Sequence, residues 1–86
     1  MKIFKSKHSL IKQISKKKDI SFIPTMGSIH KGHLSLINKA KKESSNILVS
    51  IYVNPKQFST SSDFRKYPRN LIKDIELLKK TKIKYL

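Results

Sequence analysis

Two histidines three positions apart lie in the run Pro24-Thr25-Met26-Gly27-Ser28-Ile29-His30-Lys31-Gly32-His33, between an apolar, β-branched segment and an amphipathic one. On a helix start, residues i and i+3 share a face, so His30 and His33 are placed to act on one ligand. The free N–H groups of a helix N-terminus favour a phosphate beside them. An imidazole donates hydrogen bonds to phosphoryl oxygens or delivers a proton. Gly27 allows a tight turn after the strand, and Gly32 leaves room for a flat base or ribose to approach the backbone. This chemistry suits a reaction in which negative charge builds on an α-phosphate and pyrophosphate leaves, catalysed by positioning and electrostatic stabilisation. A metal centre fits less well, because no third histidine, cysteine or carboxylate lies close in sequence. His8, alone in a lysine-rich stretch, reads as an ordinary surface or core residue.

The second chemistry-bearing run is Val53-Asn54-Pro55-Lys56-Gln57-Phe58. Gln57 offers both an acceptor and a donor, suited to a small substrate carrying hydroxyl and carboxylate groups, with Phe58 and Met26 as an apolar wall. An isolated glutamine also serves commonly to satisfy loop backbone, and Asn54-Pro55 is ordinary turn chemistry.

These runs need elements to hold them. Leu10, Ile11 and Ile14 predict a short helix over residues 9–17 with Ser9 as N-cap. Ile20-Ser21-Phe22-Ile23 predicts a buried strand that Pro24 ends. Leu34, Leu36, Ile37 and Ala40 form an apolar stripe on a second helix whose last turn carries lysines. The run Ile47–Val53 predicts a strand covered on both faces. Residues 54–68 read as an irregular loop. Asn70 is a candidate N-cap for a third helix with Leu71, Ile75 and Leu78 inward, and Ile83–Leu86 begins another strand. Alternating helices and strands imply an α/β fold with a parallel sheet and right-handed crossovers. Open parallel sheets bind ligands at the carboxyl ends of their strands, where both runs fall.

The chain has 86 residues and no cysteine, which excludes disulfides and thiolate metal sites and fits a reducing compartment. A chain of this size buries only about 60% of its unfolded surface. No apolar run approaches the roughly 20 residues of a membrane span, and the N-terminal segment lacks the apolar core of a secretory signal. The formal charge of +15 raises the possibility of nucleic-acid binding. Of the twenty basic residues, however, only Arg65 and Arg69 are arginines, and the lysines run from end to end with few aromatics between them. That distribution describes a solvated surface with weak, salt-sensitive attraction to polyanions. A chain that ends on an apolar strand reads as the N-terminal portion of a longer domain.

The combination Ile23-Pro24-Thr25-Met26-Gly27, His30-Lys31-Gly32-His33-Leu34, Ser50-Ile51-Tyr52-Val53-Asn54-Pro55-Lys56-Gln57-Phe58 and Tyr67-Pro68-Arg69 resembles the pantothenate synthetase (pantoate–β-alanine ligase) family. The resemblance implies the N-terminal part of a Rossmann-like nucleotidyltransferase domain over residues 1–86, with the rest of the family's chain absent. It implies ATP-dependent condensation of D-pantoate with β-alanine through a pantoyl-adenylate, with Mg2+ accompanying ATP, in a cytoplasmic and commonly homodimeric enzyme. By the same resemblance Met26, Gly27, Ser28, Ile29, His30, Lys31, Gly32 and His33 bind ATP. His33 is the catalytic proton donor, and Gln57 binds pantoate and β-alanine. Ser59 to Ser62 stands where the family more typically carries glycine and proline, which predicts a looser loop. An isolated 86-residue piece is expected to have little or no activity. Two alternatives stay open: another nucleotidyltransferase with the same histidine pair, or a basic nucleic-acid-binding fragment.

Overall fold

The sheet is built where the sequence is most β-branched. In the computed structural model, which describes residues 1–86, strands β1 (Ile20–Thr25) and β2 (Asn46–Ile51) pair in parallel from Ile20↔Asn46 to Thr25↔Ile51. Tyr85 extends the sheet through single parallel bridges to Leu48 and to Lys2. The expected last strand is therefore reduced to one bridging residue, with the N-terminal segment beyond it. Helix α1 (Lys7–Ile14) precedes β1, and α2 (Lys31–Glu43) connects β1 to β2. A 3-10 turn (Pro55–Gln57), α3 (Ser61–Lys66) and α4 (Leu71–Lys79) follow β2.

Four local expectations shift. Helix α1 starts earlier, because Ser6 rather than Ser9 is the cap: its Oγ accepts from the Ser9 N–H at 3.2 Å. Pro24 does not end β1. It pairs with Ser50 inside the strand, and β1 tolerates a missing N–H because it is bonded to β2 on one side only. The supposed irregular loop contains α3, capped by Thr60, whose Oγ1 accepts from the Asp63 N–H at 3.0 Å. Asp63 also sits in the first turn, where the helix dipole favours an anion. Ser61 and Ser62 are thus helical, not loose.

One face of the sheet carries the core. Strand alternation puts Ile23, Ile47 and Val49 on that side, where they join Ile29, Ile37 of α2, Leu78 of α4 and Ile83. Ile37, Val49 and Leu78 are fully buried, each stabilising by about 1.5–3 kcal/mol. Strand β2 is covered on both faces as expected, by Ile47 and Val49 on one side and Leu48 on the other, whereas β1, expected to be buried, leaves Phe22 57% exposed.

Helix α4 keeps its expected inner face only in part. Leu71 and Ile72 face solvent, at 57% and 75% exposure, while Asp74 and Leu78 are its buried residues. Leu78 is buried and Ile75 half-buried as the apolar spacing predicts, and Asp74, four residues before Leu78 on the same face, is buried where Leu71 is not.

Candidate active site

The carboxyl ends of β1 and β2 are stapled together by Thr25. Its hydroxyl donates to the Ser50 carbonyl at 2.8 Å and accepts from the Gly27 N–H at 3.1 Å, and the Tyr52 N–H donates to its carbonyl at 3.0 Å. The chain then turns through two left-handed residues, Gly27 (φ 81°) and Ser28 (φ 52°). Such a turn points successive N–H groups to one side and makes a concavity for an anion. Here the anion is internal. Asp74 accepts from the Ser28 N–H at 3.0 Å through one carboxylate oxygen and from the Ile29 N–H at 2.9 Å through the other. Ser28 Oγ donates to the Pro68 carbonyl at 3.1 Å, tying the same turn to the segment before α4.

Helix α2 begins with a capping box made of imidazoles. His30 is the N-cap, and its Nδ1 accepts from the Gly32 N–H at 3.0 Å. His33, at N3, reaches back so that its Nδ1 accepts from the His30 N–H at 3.1 Å. A ring nitrogen that accepts from a backbone N–H carries no proton, so each neutral ring holds its proton on Nε2. The backbone thereby sets both imidazoles as Nε2–H donors. The rings lie 4.0 Å apart between centroids. Burial, reinforced by the neighbouring His30, holds His33 below the ordinary imidazole range, while the Asp74 carboxylate pulls the other way. His33 is accordingly a neutral donor at physiological pH.

Gly32 has a use different from the expected one. The group that approaches it is the His30 ring: a Cβ at Gly32 would lie 2.8 Å from His30 Cε1.

An open cleft of about 630 Å3 lies over this corner. It brings together Met26, Gly27, Ser28, His30, His33 and Gln57, and adds Tyr52 and Tyr67. The expected site residues Ile29, Lys31 and Gly32 do not line it. Ile29 belongs to the hydrophobic core, and Lys31 and Gly32 are exposed on the first turn of α2. Phe58 is not part of the wall either. It packs edge-on against Phe64 and Tyr67, at 5.6 and 5.4 Å between centroids, so Tyr67 supplies the aromatic surface that Phe58 was expected to give. Gln57 is exposed at the cleft. The backbone duty that a loop glutamine often performs falls to Asn54, whose Oδ1 accepts from the Lys56 N–H at 3.0 Å and whose carbonyl accepts from the Gln57 N–H at 3.2 Å.

Sequence reasoning missed Asp74 and Tyr67. Tyr67 carried a signal, being an aromatic one residue before Pro68 in the segment leading to α4. Asp74 carried only that of an acid in a helix's first turn.

The profile of the family described as Pantoate-beta-alanine ligase matches residues 2–86. The chain is 52% identical over 84 residues to the pantothenate synthetase of Christiangramia forsetii, covering 93% of this chain and 30% of the relative. It is 47% identical over 77 residues to that of Pseudothermotoga lettingae, covering 90% and 27%. Among solved structures, the Thermus thermophilus enzyme superposes over 100% of this chain and 31% of its own, with TM-score 0.89 and 35% identity. The Francisella tularensis enzyme, solved with beta-gamma ATP and beta-alanine, superposes over 92% of this chain and 30% of its own, with TM-score 0.82 and 44% identity. The architecture here is thus the N-terminal part of their Rossmann-like domain, and the chain spans about 30% of the length of the curated relatives it matches.

Proposed function

This chain belongs to the pantoate-beta-alanine ligase family, and from that premise we propose that residues 1–86 are part of a nucleotide-binding domain that activates D-pantoate with ATP and joins it to β-alanine. The pantoate carboxylate attacks the α-phosphorus, and pyrophosphate leaves. The β-alanine amine then attacks the acyl carbon of the pantoyl-adenylate, forming the amide and releasing AMP. The observation that carries this reading is one cleft lined by both imidazoles and, from the neighbouring strand's end, Gln57.

The residues divide the work. His33 and His30, with protons on Nε2, donate to phosphate oxygens as negative charge builds, and His33 is the proton donor. Met26, Gly27 and Ser28 shape the nucleotide side. Gln57 takes the hydroxyl and carboxylate of pantoate, and holds β-alanine in the second half-reaction. No Asp or Glu lines the cleft, so Mg2+ that accompanies ATP takes its ligands from phosphates and water rather than from these residues. The cleft is open, and no lysine or arginine lines it to offset phosphate charge. The isolated chain is therefore expected to turn over little or no substrate, with the rest of the domain, and a dimer partner, contributed by the remaining length of such an enzyme.

The test joins residues 1–86 to the remainder of the Francisella tularensis enzyme in place of its own matching segment. Pantoate-dependent release of pyrophosphate and β-alanine-dependent formation of pantothenate by the chimera, both lost with His33→Ala, are expected. A folded chimera that releases no pyrophosphate with pantoate removes the reading.

A further inference from the structure

We propose that Asp74 is the positioning residue of the histidine loop: its carboxylate fills the anion-binding turn at Ser28 and Ile29 and so fixes where His30 and His33 stand, without touching a ligand.

Three observations meet here. First, Asp74 is buried at 4% exposure one turn before the fully buried Leu78, on the same face of α4. An acid is seldom fully buried unless it is paired. The face that enters the core therefore also delivers a carboxylate to the loop. Second, both carboxylate oxygens are spent on the loop, one on each of two successive backbone N–H groups, across separations of 46 and 45 residues. Charged acceptors make the stronger class of hydrogen bond, and a buried carboxylate left without such partners is costly. The pair therefore holds α4 and the loop in one geometry. Third, the turn has two consecutive left-handed residues, one of which, Ser28, is not glycine. A non-glycine residue persists in that region when its surroundings over-determine it. Asp74 on the Ser28 N–H and Pro68 on the Ser28 hydroxyl are those surroundings.

The consequence reaches the imidazoles through the backbone. Ile29 is followed directly by His30, whose own N–H holds His33 Nδ1. Fixing the Ile29 N–H fixes the start of α2, and with it the capping box that sets both rings as Nε2–H donors. The turn's two amides are already occupied, so they are closed to phosphate. An incoming anion is directed to the imidazoles.

The experiment follows amide and imidazole resonances of the 86-residue chain by NMR. Asp74→Asn keeps the shape but aims an N–H2 group at one of the two loop amides. Exchange of the Ser28 and Ile29 amides is expected to speed up by on the order of tenfold to a hundredfold, with Val49, in the core strand, unchanged. The His33 titration is expected to move further down, because the charge opposing that shift is gone. Asp74→Glu should restore much of the His33 titration, since the charge returns, but not the amide protection. In the unaltered protein, the Ser28 and Ile29 amide shifts should move together as acid protonates Asp74, a readout that needs no variant to fold. Loop amides indifferent to that protonation, or a folded Asp74→Asn protein with unchanged loop exchange and unchanged His33, overturn the proposal. Equal acceleration at Val49 overturns it as well, since Asp74 would then hold the fold at large. Only the last step, about tenfold weaker ATP binding by Asp74→Asn, rests on the function proposed above. If the unaltered chain shows no shifts with ATP, that reading fails for this chain while the amide and imidazole results still decide the role of Asp74.

Discussion

The two loops at the sheet's carboxyl edge are held in opposite ways. The histidine loop is fixed from a distance: Thr25 to Ser50, Ser28 to Pro68, and Asp74 to the Ser28 and Ile29 amides. The glutamine loop fixes itself. Asn54 caps its own 3-10 turn, Thr60 caps α3, and Ser59 donates to Asp63. Arg69 then closes the segment, donating to the carbonyls of Phe64 at 2.8 Å and Tyr67 at 2.9 Å and lying 4.8 Å from the Phe64 ring. The first arrangement suits groups that must meet developing charge without rearranging. Under the function proposed above, the second suits a substrate grip that adjusts on binding, since its contacts are local and exposed.

The largest effect expected from this division is on turnover. In the chimera, His33→Ala should slow pantoate-dependent pyrophosphate release by ~10²–10⁴-fold. Gln57→Ala should instead raise the pantoate KM, with a smaller change in kcat. Steady-state kinetics separates the two. A Gln57→Ala variant that loses rate as heavily as His33→Ala, with KM unchanged, would erase the distinction between the loops.

The same contrast explains what the sequence disclosed. Strand and helix order, the turn at Gly27 and the meeting of His30, His33 and Gln57 were legible, because apolar periodicity and strand ends determine them. Helix α3 was legible too, but went unread: Thr60 with Asp63 three residues on is a local cap signal. The proline within β1 was misread because Pro24 looks like a terminator until its strand is known to be an edge. Asp74 was not legible in any local sense. Its spacing makes it another first-turn acid, and only the tertiary approach of α4 to residues 28 and 29 turns it inward. Leu71 shares the inward face with Leu78, but apolar spacing does not show that the packed core takes in only the later turns of α4.

The next effect is on stability, and it falls on the distant fastening. Gly27→Ala forces a side chain into a left-handed backbone (φ 81°) and places its Cβ 3.1 Å from Asp74 Oδ2 and 3.3 Å from Ile51 Cγ2. A loss of roughly 1–3 kcal/mol is expected, measured by urea unfolding. Arg69→Ala should cost less, on the order of 1 kcal/mol, because its partners are exposed carbonyls that water can satisfy. It should also leave the His33 titration where it is while loosening the Phe58–Tyr67 packing. A shift of His33 in the Arg69 variant would show that the loops are coupled rather than separately fastened.

The smallest effect is the pH dependence, and it bears on both ends of the sheet. Asp19 accepts from the Ser45 Oγ–H at 2.6 Å and the Ser45 N–H at 2.8 Å, joining the approach to β1 with that to β2. Those two bonds hold its carboxyl below the usual carboxylate range. His33 is also held low, chiefly by burial. For each group the folded pKa lies below the unfolded one, so the unfolded chain binds protons more readily and stability falls with acid. The His33 contribution is complete above the ordinary imidazole value and is lost as pH drops through its lowered one. The Asp19 contribution is complete above the ordinary carboxylate value and is lost at more acid pH. Thermal melts should therefore fall in two steps, with the upper step absent in His33→Gln and the lower one reduced in Asp19→Asn. Because Asp19 is exposed at the end of the sheet opposite the cleft, Asp19→Asn should leave the titration of His33 untouched. Movement of the His33 titration in that variant would mean that the sheet transmits strain from one end to the other, and the histidine loop would then owe its position to more than its own fastening.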